Sequence, residues 1–366
     1  MLDKKNKAIL LLEDGHFFYG NASGKIGTTT GEICFNTSMT GYQEIFTDPS
    51  YFGQILIMNN VHIGNYGINN VEQESASIQI KGLICNSIEK NFSRFKSTQN
   101  IQNFLETNHI IAIDGIDTRA LVRYIRDKGV MNCLISSEEL PLDVLQKKLA
   151  DTPSMDGLAL DSFVSTPSPF EIKNENYTHT IAVLDFGIKN SILDNLHQRK
   201  FNLKVFPSNT DYNEIKSYNP DGYFLSNGPG DPAAMQDIIK TIQKILTDNK
   251  PVFGICLGHQ LLGLANNVKT YKLHNGHRGG NHPVKNLQTG ICEITTQNHG
   301  FGIDRISVEQ NNNIEITHIN LNDGSIEGIA LKNKPAFSVQ YHPESTPGPN
   351  DSKYLFDKFA DLILQK

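Results

Sequence analysis

The sequence has few cysteines, no long apolar run and no excess of positive charge. Its five cysteines are scattered and form no C-x-x-C pair: Cys34, Cys85, Cys133, Cys256 and Cys292. This odd, dispersed set is typical of a reducing compartment rather than of a disulfide framework. No stretch of about 20 apolar residues could span a membrane, and the apolar run 8–12 is too short for a signal peptide. These absences favour a cytoplasmic protein with no membrane partner.

Sites for nucleic acid and for nucleotides are also missing. The 33 basic and 39 acidic residues give a formal net charge of −6, without a basic stripe, so we expect no nucleic-acid partner. No G-x-x-x-x-G-K-[ST] P-loop occurs. Gly228-Pro-Gly-Asp-Pro-Ala233 formally matches the dinucleotide fingerprint G-x-G-x-x-A, but Pro229 and Pro232 remove N–H donors that a pyrophosphate needs. A non-enzymatic dinucleotide-binding module is kept as an alternative interpretation.

The length of 366 residues predicts about two domains. Residues 1–150 show short apolar runs with weaker helical patterns, which predicts a mixed α/β domain with strands at 8–12, 32–35, 54–58 and 110–113. Residues 151–179 are rich in Pro, Ser, Thr and Asn, a composition typical of a linker.

Residues 180–366 begin with strict alternation of strands and helices, which predicts an α/β domain with a parallel sheet covered by helices on both faces. We expect strands at 180–184, 203–206, 222–226 and 251–255, and helices at 189–199, 212–218, 233–247 and 259–265. In such sheets, ligands bind beyond the carboxyl ends of the strands. The loops at 226–232 and at Cys256 both lie at such ends.

Cys256 lies in Gly254-Ile-Cys-Leu-Gly258, immediately before a predicted helix. Two glycines flank it as they flank the serine of a nucleophile elbow, because a Cβ at either position would crowd the adjoining strand or helix. The start of a helix favours a thiolate, and the Leu257 N–H is expected to form half of an oxyanion hole that the Gly228 N–H completes. The alternative is a buried, inert cysteine.

His342-Pro-Glu344 follows the apolar strand predicted at 336–341. Residues two apart in an extended chain face the same side, so Glu344 can orient the His342 ring while its other nitrogen accepts the thiol proton. The alternative is a surface His and Glu at a strand end. Cys256, His342 and Glu344 are therefore predicted to be the nucleophile, the base and the residue that orients the base in an acyl-transfer enzyme.

The histidines of His274-Asn-Gly-His277 and His282 have a spacing seen in zinc sites. The segment is rich in Gly and Asn and contains no H-E-x-x-H motif. We therefore expect a mobile loop and no metal.

Gly254-Ile-Cys-Leu-Gly-His-Gln260 together with His342-x-Glu344 resembles the class I, triad-type glutamine amidotransferases. This resemblance implies a flavodoxin-like parallel sheet for the domain 180–366. Further motifs, spread over nearly the whole chain, narrow the resemblance to the small subunits of carbamoyl-phosphate synthase. They are Asn36-Thr-Ser-Met-Thr-Gly-Tyr-Gln-Glu44, Thr47-Asp-Pro-Ser50, His62-Ile-Gly-Asn65, Asp114-Gly-Ile-Asp-Thr-Arg119, Ser226-Asn-Gly-Pro-Gly-Asp-Pro232, His277-Arg-Gly-Gly-Asn-His-Pro283 and Gln297-Asn-His-Gly-Phe301.

The resemblance implies hydrolysis of L-glutamine by Cys256 as nucleophile, His342 as base and acid, and Glu344 as orienter. It also implies a heterodimer in which ammonia passes through a tunnel to a large subunit that makes carbamoyl phosphate for arginine and pyrimidine synthesis. No cofactor is expected in this chain, since ATP and Mg²⁺ would bind the large subunit. The glutamine-binding residues implied are Ser50, Gly228, Gly230, Leu257, Gln260, Asn298, Gly300 and Phe301.

Ser50 lies in the first predicted domain, so the resemblance implies a glutamine site at the domain interface. Two positions depart from the family pattern: an expected arginine is missing near Asn190, and Tyr341 replaces a small residue before His342. A subunit of another synthase, serving anthranilate or GMP synthesis for example, is the alternative within the same chemistry.

Overall fold

The computed structural model describes residues 6–177 and 179–364, and the chain forms two compact units, Met1–Met155 and Asp156–Lys366. In the first unit, seven strands close into a barrel in the order β1-β2-β6-β5-β4-β3-β7. The strands are β1 Lys7–Leu12, β2 Phe17–Gly24, β3 Thr28–Asn36, β4 Gln54–Met58, β5 Gly82–Ile84, β6 Ile111–Asp114 and β7 Asn132–Ser136. Its helices are α1 Tyr42–Thr47, α2 Ile101–Thr107, α3 Thr118–Lys128 and α4 Leu142–Ala150.

Strands β3, β4, β5 and β6 are parallel neighbours, and the remaining pairs of the barrel are antiparallel. Alternate residues of the strands point to opposite sides, so one set, including Ile33, Ile55 and Ile113, packs into a shared core. The predicted strands at 8–12, 32–35, 54–58 and 110–113 correspond to β1, β3, β4 and β6. The sequence did not predict β2, β5 and β7, or closure of the barrel.

The second unit has a ten-stranded sheet in the order β14-β13-β15-β16-β17-β12-β11-β9-β10-β8. Its strands are β8 Phe170–Ile172, β9 His179–Asp185, β10 Phe201–Pro207, β11 Gly222–Leu225, β12 Val252–Ile255, β13 Thr270–Asn286, β14 Cys292–Ile303, β15 Ile314–Asn320, β16 Ile326–Leu331 and β17 Ala336–Val339. Its helices are α5 Asp161–Val164, α6 Asn190–Gln198, α7 Tyr212–Ser217, α8 Gln236–Ile245, α9 Leu257–Ala265, α10 Arg305–Glu309 and α11 Tyr354–Leu364.

The central strands β10, β9, β11, β12 and β17 are all parallel. In chain order their arrangement is 2-1-3-4-5, which is the flavodoxin-like order. This confirms the predicted fold class, and the predicted strands and helices between 180 and 265 all occur, with ends shifted by a few residues. The remaining strands extend the sheet in antiparallel fashion on both sides.

Alternation along the parallel strands explains how helices cover both faces. Val252 packs with α8 and α9 on one face, whereas its neighbour Phe253 packs on the other. The Phe253 ring stacks on Phe337 at 4.5 Å between centroids and meets Phe356 and Phe359 of α11 edge-on or tilted. Complete burial of such a ring contributes about 1.5–3 kcal/mol. These contacts hold β12, which ends at Cys256, in the middle of the sheet.

Residues 270–286 form β13, so the prediction of a loop there is wrong. The polar and glycine-rich composition is accommodated because the pairing of β13 with β14 is irregular at two places, between Lys272 and His277 and between Gly279 and His282. Within the part of the chain that the structure describes, no helix is long and apolar enough to cross a bilayer.

Candidate active site

Cys256 lies on a strained turn between β12 and α9. Its φ of 53° and ψ of −104° place a non-glycine residue in a rarely adopted conformation. Such strain costs of order 1–3 kcal/mol and persists only where surrounding contacts hold the backbone in place. Here the Cys256 N–H donates to the Val339 carbonyl at 2.9 Å, and the Cys256 carbonyl accepts from the N–H groups of His259 and Gln260 at 3.1 and 3.2 Å.

The two glycines around Cys256 are required by close backbone contacts. A Cβ on Gly258 would lie 2.3 Å from the Leu225 carbonyl oxygen, and one on Gly254 would lie 2.8 Å from the Gly258 oxygen. The Leu225 carbonyl belongs to β11 and the Gly258 carbonyl to α9, so neither atom can move without disturbing one of these two elements. The structure therefore gives the physical reason for the Gly-x-Cys-x-Gly spacing, and it forms the strand, turn and helix that a nucleophile elbow needs.

The His342 ring is held in place from two sides. Its Nδ1 lies 2.7 Å from Glu344 Oε1, and its backbone N–H donates to the Thr296 carbonyl at 2.8 Å. Because a carboxylate only accepts, Nδ1 carries the proton of this hydrogen bond. Both side chains are 1 % exposed at most. The ring also interacts with the Cys256 side chain, through a hydrogen bond and through charge.

The electrostatics of the pair follow from burial and from charge. Burial lowers the pKa of His342, but the Glu344 carboxylate and the hydrogen bond and charge of Cys256 outweigh it, so the pKa of the imidazole is raised above its ordinary value. Burial raises the pKa of Glu344, but the positive charges of Lys189 and His342 outweigh that and lower it. Glu344 is thus ionised, and His342 is a strong base that holds its proton near the sulfur.

Lys189 is a member of the site that the sequence did not reveal. Its Nζ lies 2.8 Å from Glu344 Oε1 and donates to the Thr346 carbonyl at 2.8 Å, and its side chain is 2 % exposed. Glu344 Oε1 therefore accepts from both His342 and Lys189. The sequence signal that could have indicated its role is its position shortly after β9, at the carboxyl edge of the sheet, where ligands bind.

Most of the residues implied to bind glutamine surround Cys256. Leu257 follows it in the chain, and the Asn298 carbonyl of β14 lies 3.6 Å from its Sγ. Gln260 reaches the same strand, because its Nε2 donates to the Phe301 carbonyl at 2.8 Å and to Gln340 Oε1 at 3.0 Å. Gly300 lies between Asn298 and Phe301 on β14.

Gly228 and Gly230 lie in the loop after β11. A Cβ on Gly228 would lie 2.1 Å from the Phe186 carbonyl oxygen and 2.8 Å from the Leu257 side chain, so only glycine fits beside the elbow. Gly230 has a φ of 94° and pairs with Ala159. The loop continues into a single 3₁₀ turn at Pro232–Ala234, whereas α8 begins at Gln236. The dinucleotide fingerprint requires a helix that opens within the motif, so this context argues against the alternative of a dinucleotide-binding module.

Ser50 belongs to the first unit. It lies in the 3₁₀ turn Pro49–Tyr51, where its N–H donates to Asp48 Oδ1 at 2.9 Å, and it is 9 % exposed. Its role in glutamine binding stays a prediction, as do the oxyanion-hole roles of Leu257 and Gly228.

Comparisons with known proteins cover both units of the chain. Residues 10–135 match the model of the carbamoyl-phosphate synthase small chain, CPSase domain, and residues 182–362 match that of the glutamine amidotransferase class-I family. A carbamoyl phosphate synthase small chain of Clostridium acetobutylicum is 48% identical over 357 residues, which cover 97% of this chain and 100% of the relative. Those of Thermotoga maritima and Escherichia coli K12 are 45% and 43% identical, each covering 98% of this chain and 99% and 97% of the relative.

Proposed function

The chain belongs to the carbamoyl-phosphate synthase small-chain family, and we propose on this premise that it is the glutaminase subunit of a glutamine-hydrolysing carbamoyl-phosphate synthase. The observation that carries the proposal is a buried cysteine on a strained strand-to-helix turn, beside a histidine that a buried carboxylate orients. This arrangement is the one that acyl transfer through a thioester requires. The matched N-terminal unit specifies which synthase the glutaminase serves.

In the proposed reaction, the Cys256 sulfur attacks the carboxamide carbon of glutamine, and the carbonyl oxygen becomes an oxyanion held by the N–H groups of Leu257 and Gly228. His342 gives its proton to the departing nitrogen, which leaves as ammonia, and a γ-glutamyl thioester remains on Cys256. Water then donates a proton to His342 and attacks the thioester carbon. Collapse releases glutamate and returns the sulfur as thiolate, so that one water is consumed for each ammonia formed.

The raised pKa of His342 supports both halves of this cycle. A protonated imidazole beside the sulfur stabilises the thiolate by charge, and it is the acid that the leaving nitrogen needs. Once it has lost its proton, the same strongly basic ring can activate water. Glu344 stabilises the imidazolium and fixes its Nδ1, and the Lys189 ammonium holds the carboxylate in that position.

A small chain of this family implies a large-chain partner, and we propose that the ammonia passes to it through an enclosed path. In bulk water at neutral pH ammonia would mostly become ammonium, which is no nucleophile. ATP and Mg²⁺ would act on the large chain, which agrees with the missing P-loop here. The product would serve arginine and pyrimidine synthesis, and a cytoplasmic location stays part of the proposal.

The test is a complex of this chain with its large chain, carrying Cys256→Ala. We expect glutamine hydrolysis and glutamine-dependent carbamoyl phosphate synthesis to be lost, while synthesis from added ammonia continues. Cys292→Ala is the matched control, because Cys292 is exposed and lies outside the site, and it should retain both activities. Glutamine hydrolysis that persists in Cys256→Ala would refute the assignment of the nucleophile. Co-purification with an anthranilate or GMP synthase instead would favour the alternative amidotransferase role.

A further inference from the structure

A second cluster of reactive side chains lies on the antiparallel extension of the sheet, and it begins one residue after Asn298 of the candidate active site. His277 of β13 and His299 of β14 are directly paired across the antiparallel ladder, with their rings at 4.9 Å between centroids. Glu327 of β16 approaches them from a third strand. One ligand atom from each of these residues lies within 4.8 Å of the other two. We propose that His277, His299 and Glu327 bind a first-row divalent cation of the zinc class.

The hydrogen bonds of the two rings suit metal ligation. The His299 Nδ1 lies 2.8 Å from the Phe301 carbonyl, which only accepts, so Nδ1 carries the proton. Its Nε2 lies 3.1 Å from Gln297 Oε1 and offers a lone pair to a cation when that amide turns its oxygen away. Likewise, His277 Nε2 lies 2.9 Å from Asp323 Oδ2, which leaves Nδ1 as the ligand atom facing Glu327 Oε1 at 3.5 Å. A carboxylate that accepts the outer N–H of a ligating histidine is a recurring feature of zinc sites.

Unsatisfied atoms in the cluster support the same inference. Glu327 is fully buried, and its Oε1 accepts from Asn320 at 3.0 Å, but its Oε2 has no hydrogen-bond partner among the described residues. The same holds for Nδ1 of His277 and for Nδ1 of His282, whose ring lies 5.4 Å from that of His277. A buried carboxylate oxygen without a partner costs free energy, which a cation would offset. His282 is the nearest candidate for a fourth ligand.

Binding of a cation would require only a small decrease in the distances between the ligand atoms. Tetrahedral ligands at about 2.0–2.2 Å from zinc lie roughly 3.4 Å apart, so side-chain rotation has to close at most about 1.4 Å of the separation. The competing arrangement has no metal. In it, a protonated His277 lies between Asp323 and Glu327, and His299 Nε2 donates to Gln297 Oε1 at 3.1 Å. The donor set of two imidazoles and a carboxylate suits zinc more than Mg²⁺ or Ca²⁺, which prefer oxygen alone.

Metal content and the spectrum of bound Co²⁺ test the proposal independently of glutaminase activity. The chain is stripped with a chelator, dialysed against Zn²⁺ or Co²⁺ and analysed for bound metal and for thermal stability. We expect one equivalent, a rise in the melting temperature, and Co²⁺ bands in the visible range without a sulfur-to-metal charge-transfer band. Cys256→Ala should bind equally, since the thiol is no ligand.

Three variants assign the ligands. Glu327→Gln, which keeps the shape of the side chain, should abolish binding of the equivalent, and Asp323→Asn should weaken it roughly 10- to 100-fold as an outer partner of His277. His274→Asn is the control, because His274 is exposed on the same strand, and it should bind as the wild type does. The proposal is overturned if the wild-type chain takes up no metal, if Glu327→Gln binds as tightly, or if the metal shows the sulfur band and is lost in Cys256→Ala.

Discussion

Lys189→Met tests how far the active site depends on a buried cation. The Lys189 ammonium and the Glu344 carboxylate are 2.8 Å apart, and their side chains are 2 % and 0 % exposed. Removal of one partner of such a pair typically costs about 3–5 kcal/mol, because the other charge stays buried without compensation. For a unit of this size, each kcal/mol lowers the melting temperature by roughly 2–4 °C, so we expect a decrease of roughly 6–20 °C.

The pH dependence gives a second readout of the same substitution. Lys189 is the foremost of the charges that lower the pKa of Glu344, so that pKa rises in Lys189→Met. A carboxyl group with a depressed folded-state pKa stabilises the fold above its unfolded pKa, and this stability is lost as the pH falls through the folded pKa. Because the gap between the folded-state and unfolded-state pKa of Glu344 shrinks in the variant, this carboxyl group loses less stability as the pH falls. The melting temperature of the variant, already lower at pH 7, should therefore fall less steeply than that of the wild type when the pH is lowered from about 7 to 4.

The assay is calorimetric or spectroscopic melting across this pH range, with glutamine hydrolysis measured in the complex with the large chain. Lys240→Met is the matched control, since Lys240 pairs with Asp237 on the surface, where the two side chains are 66 % and 96 % exposed. A pair of this kind contributes roughly 0–1 kcal/mol. If Lys189→Met melts within a degree of Lys240→Met at neutral pH, the buried pair does not stabilise the site and the reasoning is refuted.

Two further predictions concern the elbow and the base. Gly258→Ala should lower stability by about 1–3 kcal/mol through overpacking against the Leu225 carbonyl and should abolish glutamine hydrolysis. Gly302→Ala, whose Cβ would meet Tyr271 only at ordinary contact distance, should fold normally in the same melting assay. Glu344→Gln removes the foremost of the charges that raise the pKa of His342, so an NMR titration of this ring should show a lower pKa than in the wild type. An unchanged titration would contradict the electrostatic account of the base.

The features that could be predicted from the sequence are those that depend only on residues near one another in the chain. Short apolar runs and helical patterns between 180 and 265 predicted the parallel strands and helices in the right order, because each pattern reflects how its own segment is buried. The glycines around Cys256 indicated the turn, because steric exclusion of a Cβ acts within a few residues. By contrast, the first unit contains short strands such as Gly82–Ile84, and three residues carry too little pattern to be told from a loop.

The contacts that could not be predicted from the sequence join residues that are distant in the chain. Only the order of the strands in the sheet brings these residues together. Lys189 and Glu344 are 155 positions apart, and they meet because β9 and β17 lie in one parallel sheet with their carboxyl ends at the same edge. The pairing of His277 with His299 depends in the same way on the register of β13 and β14, and Glu327 joins them from β16. The histidines His274, His277 and His282 of one segment led to the prediction of no metal, whereas the proposed ligand set comes from three strands. The register of β13 and β14 therefore determines which histidines lie close enough to bind one cation. The variant Glu327→Gln tests whether β16 supplies a ligand to the same cation.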